Sequence, residues 1–342
     1  MHFSSFVSHK ENTSWFMNRI IKYLDFVPDV RNQVNISSNA WLIGNILIND
    51  NCTLEDNVVI RADGACVNIG KNSYFKERCT VHVTPKMGTI IGDNCILGKF
   101  SVIHACELSN NVLVGNNTII MDGAKIGANS IIYGDTLVPP GRLFKKNSLI
   151  SGSPAKVIRE ISDEEYISSY NTFSVNHKLR SAYDYNNFFL NYNKEENKSN
   201  NINKLENSIF IAPDVFISGD ISIEKKSSIW FAVNIISKNN SKIIIGEGSN
   251  IQDNSILIND NSIIKIGKRV TIGHNVVIKG PIEIKNDAVI GMGSIIEEEC
   301  VVGENAFIAA NSYVKKETTV DNEIIFAGRP AKFFRNVNNL EK

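Results

Sequence analysis

The sequence predicts an all-β chain: two tandem parallel β-helix lobes, a connecting helix between them and a short N-terminal helix before them. Three features carry that reading. Apolar residues recur at every sixth position, glycine often follows them, and the two halves of the chain repeat one another. In the second half the series Ile266, Ile272, Ile278, Ile284, Ile290, Ile296, Val302, Ile308, Val314, Val320 is unbroken. The first half shows Leu42, Ile48, Leu54, Ile60, then Ile91, Leu97, Ile103, then Leu108, Val114, Ile120, Ile126, Ile132, Val138. A period of six matches neither the 3.6-residue turn of a helix nor simple alternation. It matches short strands joined by tight turns, each pointing one apolar side chain inward, three of them closing a coil of about 18 residues. Stacked coils bury a continuous apolar column. An array of hairpins would lose phase, because hairpin turns vary in length.

The elements follow in order. Residues 1–34 form an N-terminal segment, in which 13–27 (TSWFMNRIIKYLDFV) reads as a short amphipathic helix that docks on the first lobe or serves as a targeting signal. The first lobe covers 35–160. Asp163-Glu164-Glu165 opens a helix, favoured by acids at its N-terminus, that is expected to run to about Leu190. The Asn-rich stretch 191–207 lacks the apolar residues to pack and reads as a linker within 161–207. The second lobe covers 208–342. Gly44 and Gly92 reappear as Gly219 and Gly267 at an offset of 175, and Gly152-Ser153-Pro154-Ala155-Lys156 as Gly328-Arg329-Pro330-Ala331-Lys332.

Composition narrows the function. The 342 residues carry 36 basic and 36 acidic side chains, and a net charge of zero argues against a dedicated nucleic-acid binder. Hydrophobic content of 43% supplies two cores, and no apolar run approaches a membrane span. Trp15-Phe16-Met17 is cut short by Asn18 and Arg19, so no signal-peptide core is expected. The six cysteines read as free thiols in a reducing compartment.

Several motifs together resemble the γ-class carbonic anhydrases. They are Asn250-Ile251-Gln252-Asp253, Gly273-His274-Asn275 and Gly291-Met292-Gly293 in the second lobe, with Arg61-Ala62-Asp63, Thr80-Val81-His82 and Gly152-Ser153-Pro154 in the first. The resemblance covers about residues 35–165 and 209–335. It implies a left-handed hexapeptide-repeat β-helix assembled as a ring of three lobes, with zinc held by three histidines where lobes meet. The first and third histidines come from one lobe, the second from its neighbour. Carried over, the first lobe has His82, Lys99 and His104 at these positions, and the second has Ile258, His274 and Lys279. Neither lobe keeps a full set, but the losses are complementary. His82, His104 and His274 are the expected ligands of one zinc per chain, with another divalent transition metal as the substitute. The surrounding residues divide the same way. Arg61 and Asp63 have Ile236 and Lys238 as counterparts, while Asn250, Gln252 and Asp253 have Tyr74, Lys76 and Glu77.

Three neutral imidazoles leave one zinc position open to water, whose pKa then falls toward ~7, a magnitude known from carbonic anhydrases themselves. The resemblance implies that Gln252 hydrogen-bonds the resulting hydroxide, that Asn250 orients Gln252, and that Arg61 bridges to Asp253. It implies CO2 and bicarbonate as substrate and product, a third β-helix lobe from another chain, and a mitochondrial location, otherwise a cytoplasmic one. Family members with decayed sites are assembly subunits of respiratory complex I, and distant relatives cap dynactin, so a silent structural subunit is the alternative function. A hexapeptide acyltransferase comes third, favoured by the repeat alone. The segment after His82 (Val83-Thr84-Pro85-Lys86-Met87-Gly88) has no acidic residue where some family members place a proton shuttle. Cys79 near His82 and Cys106 near His104 form a rival metal set whose spacing matches no known site.

Overall fold

A computed structural model describes residues 19–173, 201–202 and 208–338. The chain divides into two compact units, residues 1–182 and 183–342. Each unit is a hexapeptide-repeat β-helix, a triangular stack of parallel coils.

In the first unit three apolar columns line the interior. Ile60, Val81, Ile103, Ile120 and Val138 stack in register on one face. Ile69, Ile91, Leu108, Ile126 and Phe144 stack on the second. Leu54, Phe75, Leu97, Val114, Ile132 and Ile150 stack on the third. All belong to one buried core. Each fully buried side chain contributes about 1.5–3 kcal/mol, so the column is the main source of stability. The sixfold phase breaks between Ile60 and Ile91 because the upper coils are longer. His82 and His104 are 22 residues apart on adjacent coils, whereas His104 and Asp122 are 18 apart. The extra residues lie in the long strand Val59–Ile69 and in the loop 83–88.

One corner is built from asparagines in the left-handed region, which Asn tolerates better than branched residues. Asn51, Asn72, Asn94, Asn111 and Asn129 all have φ between 55° and 63°. Each donates its side-chain amide to the next at 2.9–3.2 Å, and Asn129 donates to Asp163. This ladder holds the coils in register.

In the second unit the ten-residue series falls on three columns. Ile266, Ile284, Val302 and Val320 stack on one face, Ile272, Ile290 and Ile308 on another, and Ile278, Ile296 and Val314 on the third. Both units end alike, in antiparallel pairs: Ser148–Gly152 with Ala155–Glu160, and Ile324–Gly328 with Ala331–Asn336. Gly44 and Gly219 have φ of 89° and 95°, and an added Cβ would collide with the carbonyls of Ala62 and Ser237 on the next coil. Only glycine fits these corners.

Three expectations are corrected. The connecting helix, α1, spans Asp163–Asn171 and ends there instead of continuing toward Leu190; residues 174–190 lie outside the described part. Ser162 caps its start by accepting from Glu165 N–H, and Thr172 N–H closes its end on the Ser168 carbonyl. Ile161, Tyr166 and Phe173 pack α1 onto Ile96, Leu113, Ile131 and Leu149, a short stripe that needs only two turns to cover. The N-terminal stretch is not helical over 19–27. Ile20–Ile21 is a strand that pairs in parallel with Leu42–Ile43, where two β-branched residues extend the first coil's edge; residues 13–18 lie outside the described part. Within the expected linker, Asn201–Ile202 pairs in parallel with Asp220–Ile221, giving the strand Asp220–Ile223 a hydrogen-bonded neighbour. The rest of 191–207 lies outside the described residues.

Candidate metal centre

Arg61, His82 and His104 stand opposite one another on three successive coils of the first unit. Each immediately follows an inward column residue, so each points away from the core. Asp63 joins them from the corner. Its Oδ2 accepts from Arg61 Nη1 at 2.5 Å, and its Oδ1 lies 2.9 Å from His82 Nε2. His82 Nδ1 lies 3.1 Å from His104 Nε2, with ring centroids 5.0 Å apart. His104 Nδ1 in turn lies 2.5 Å from Asp122 Oδ1 on the next coil. Arg61 is fully buried and His82 nearly so.

The carboxylates decide the tautomers. Burial raises the Asp63 carboxyl, but Arg61 and His82 outweigh it and hold it well below the usual carboxylate range. Asp122 is lowered as well, burial being overcome by His104. An ionised carboxylate can only accept, so His82 carries its proton on Nε2 and His104 on Nδ1. The two remaining nitrogens, His82 Nδ1 and His104 Nε2, then face each other as lone pairs. That arrangement is repulsive until a proton or a metal cation joins it. Two nitrogens on one tetrahedral zinc, each at about 2.0–2.1 Å, are about 3.3 Å apart. The observed 3.1 Å fits such a pair of donors.

The second unit builds a different wall. Asp253 and His274 occupy equivalent turns on adjacent coils, each followed by an asparagine in the left-handed region, Asn254 and Asn275. Asn275 N–H bonds the Asp253 carbonyl at 3.0 Å and locks the two turns together. Asp253 Oδ1 accepts from Phe231 N–H at 3.0 Å, and its Oδ2 lies 3.1 Å from His274 Nδ1. Gln252, Asp253 and His274 are all buried. Asn250 Oδ1 accepts from Trp230 Nε1 at 2.7 Å and from Ser228 Oγ at 3.0 Å.

The counterpart positions are closed by ion pairs within each unit. Lys99 Nζ lies 2.9 Å from Glu77, and Lys279 Nζ lies 3.0 Å from Glu297. Tyr74 donates to Glu55 at 2.6 Å and Lys76 lies 3.4 Å from the same carboxylate. Ile236, Ile258 and Lys279 stand in the register of Arg61, His82 and His104, with no donor pair among them that could take a metal. The rival cysteine set has a different role: Cys79 and Cys106 sit in the apolar core. Burial pushes the Cys79 thiol up to about 12 and that of Cys106 higher still. Among the described residues no cysteine joins a metal-ligating cluster.

Within its unit Arg61 is committed to Asp63, a pairing not anticipated from the sequence. Two further residues went unnoticed there. Asp122 had a signal, since it lies one 18-residue coil after His104. Trp230 had none, because nothing in the repeat marks an indole aimed at Asn250.

The repeat matches two family models. The "Hexapeptide repeat of succinyl-transferase" model matches residues 88–122 and 263–298, and the "Bacterial transferase hexapeptide (six repeats)" model matches 281–316. A probable carbonic anhydrase of Methanocaldococcus jannaschii is 40% identical over 136 residues, 40% of this chain and 86% of that protein. The carnitine operon protein CaiE of Escherichia coli K12 is 30% identical over 139 residues, 41% of this chain and 71% of CaiE. The chain belongs to the hexapeptide-repeat family. Each of these relatives aligns with a stretch about one lobe long, as a tandem hexapeptide-repeat protein requires. A solved structure titled as a putative acetyltransferase from Desulfovibrio desulfuricans G20 shares the fold, with a TM-score of 0.58 and 12% identity over 97% of this chain and 74% of that one. Among the described residues no helix is long and apolar enough to cross a membrane.

Proposed function

We propose that this chain is a γ-carbonic-anhydrase-like protein that hydrates CO2 reversibly at a single zinc held by His82, His104 and His274. One observation carries the reading. His82 and His104 each hydrogen-bond a carboxylate through one ring nitrogen, Asp63 and Asp122, and His274 Nδ1 lies 3.1 Å from Asp253 Oδ2 without the alignment of a hydrogen bond. Metal-ligating histidines are held in this way, with the far nitrogen donating to a carboxylate and the near one turned to the metal. The kinship with a probable carbonic anhydrase supports the same reading.

Bound there, the metal would supply Lewis acidity and generate a nucleophile from water at neutral pH. The chain's own residues do the rest. Asp63 and Asp122 hold the rings of His82 and His104 in orientation, and Asp253 lies beside His274. Gln252 offers a buried amide to the reacting oxygen, steadied through Asn250, whose carbonyl Trp230 and Ser228 hold in place. Arg61 holds Asp63, and a second contact from Arg61 to Asp253 would tie the two walls together. Hydration of CO2 yields bicarbonate and a proton. The turn Thr84–Met87, closed by a 3.0 Å backbone bond, carries no acid to take that proton. Water or buffer therefore carries it away.

The closed ion pairs at Lys99 and Lys279 favour a second reading, an assembly subunit whose lobes join a third β-helix lobe, in a mitochondrial complex or elsewhere. Zinc analysis and CO2 hydration assays separate the two. About one zinc per chain is expected, and His274→Ala should abolish both zinc binding and hydration while leaving the fold intact. A wild-type protein that binds zinc without hydrating CO2 puts the scaffold reading first. A zinc content near two, or near zero after zinc-replete expression, overturns the single shared site.

A further inference from the structure

The carboxylates beside the ligand columns change in step with the residues they serve. Asp122 pairs with His104 one coil away, and at the same places in the second unit Glu297 pairs with Lys279. On the other wall Asp253 accompanies His274, and its counterpart Glu77 accompanies Lys99. At both positions His–Asp in one unit is Lys–Glu in the other. The acid is thus matched to its partner. An aspartate is short enough to bring one oxygen to an imidazole Nδ1, while a glutamate reaches a lysine ammonium.

Asp122 differs from its two companions. Asp63 is held by Arg61 and Asp253 by Phe231 N–H, whereas Asp122 is a 39% exposed carboxylate at a turn. It carries none of the core, and its contact with His104 is short. From this we infer that Asp122 is the positioning residue for His104. It fixes the proton on Nδ1 and so turns the Nε2 lone pair toward the metal. The inference rests on the zinc reading above and gives one of the site's three carboxylates a specific task.

The geometry makes a graded demand. Asn keeps an acceptor oxygen at this position but loses the charge, and Ala removes the acceptor altogether. Zinc affinity, measured with the full chain by competition against a chelator using zinc alone, should rank wild type, then Asp122→Asn, then Asp122→Ala. The last should fall by about 10–100-fold. The melting temperature of the metal-free protein should stay unchanged across the three, because the group is exposed. In the metal-free protein, 15N-edited NMR of the imidazoles should show the His104 proton on Nδ1 in wild type and a mixed tautomer in Asp122→Ala. An unchanged affinity in Asp122→Ala overturns the assignment, as does a loss that tracks a fall in metal-free stability. The NMR arm needs no metal. If wild type binds no zinc, the functional reading fails, while an unaltered His104 tautomer in Asp122→Ala sinks the positioning role by itself.

Discussion

Replacing Arg61 by methionine isolates the charge beneath the first wall. Arg61 is fully buried, and its guanidinium bonds Asp63, whose side chain is only 5% exposed. Methionine keeps much of the volume and removes the cation, which leaves the Asp63 carboxylate buried with only His82 to face. Breaking a buried pair by removing one partner costs about 3–5 kcal/mol. That is a large share of the ~5–15 kcal/mol that holds a domain folded. For a unit of this size it should lower the melting temperature by roughly 6–20 °C. The pH dependence identifies the cause. In wild type the Asp63 carboxyl lies below its unfolded value, so its contribution is present above about pH 4 and is lost only as pH falls through the depressed folded value. In Arg61→Met the largest influence offsetting burial is lost and the folded value rises, with only His82 still lowering it. The carboxylate's stabilising contribution at neutral pH shrinks accordingly, and the difference from wild type fades on acidification. Thermal unfolding should therefore show the widest gap between variant and wild type near neutrality and a narrower one in acid. Arg61→Met/Asp63→Asn, which removes the stranded charge, should recover most of the loss. If the double variant is as unstable as the single one, the buried carboxylate is not the cause and the electrostatic account is wrong.

Two further outcomes are expected. Gly219→Ala should destabilise the second unit by at least about 2 kcal/mol, since the new Cβ would lie 1.9 Å from the Ser237 carbonyl oxygen at a φ of 95°; urea unfolding with an unshifted midpoint would show that the corner relaxes freely. Trp230→Phe removes the indole N–H from Asn250 at the cost of one hydrogen bond, about 1 kcal/mol. It should slow CO2 hydration severalfold while zinc content holds, and loss of zinc instead would place Trp230 in the fold of the wall rather than in its chemistry.

Much of this was legible in the sequence because a β-helix writes its contacts at a fixed interval. The column Ile266, Ile284, Val302, Val320 is spaced by one coil, and its stacking follows directly. The pairing of His82 with His104 comes from the family resemblance and not from the interval, because their coil has 22 residues rather than 18. What failed were the places where the repeat stops. Nothing periodic marks the end of α1, which is set by a local closure of Thr172 on Ser168. The amphipathic look of 13–27 conceals that Ile20–Ile21 finds an open strand edge, so tertiary pairing overrides helical pattern. The sequence places Arg61, Asp63, Asn250, Gln252 and Asp253 around the ligands but not Asp122 or Trp230. Asp122 was reachable by counting one coil onward, but Trp230 acts through a side chain that crosses between coils, and no interval encodes it.

The exchange of His–Asp for Lys–Glu bears on how a tandem chain would come to have one site rather than two or none. Simple decay would leave orphaned partners: an aspartate without its histidine, or a lysine in apolar surroundings. The first unit instead rebuilds the whole second-histidine wall, with Glu55, Tyr74, Lys76, Glu77 and Lys99 in a single network of hydrogen bonds and ion pairs. The second unit rebuilds the opposite wall with Ile236, Ile258 and the Lys279–Glu297 pair. Each lysine ammonium sits where a metal-ligating imidazole would, and already carries the positive charge that its carboxylate neighbour needs. A second positive charge there would be repelled, so the rebuilt walls reject a metal and need none to stay satisfied. The retained walls are the reverse. In the first unit His82 Nδ1 and His104 Nε2 face each other at 3.1 Å, and a carboxylate orients each ring from its other nitrogen. On the proposed reading, two walls that hold a metal and two that exclude one would leave one metal per chain.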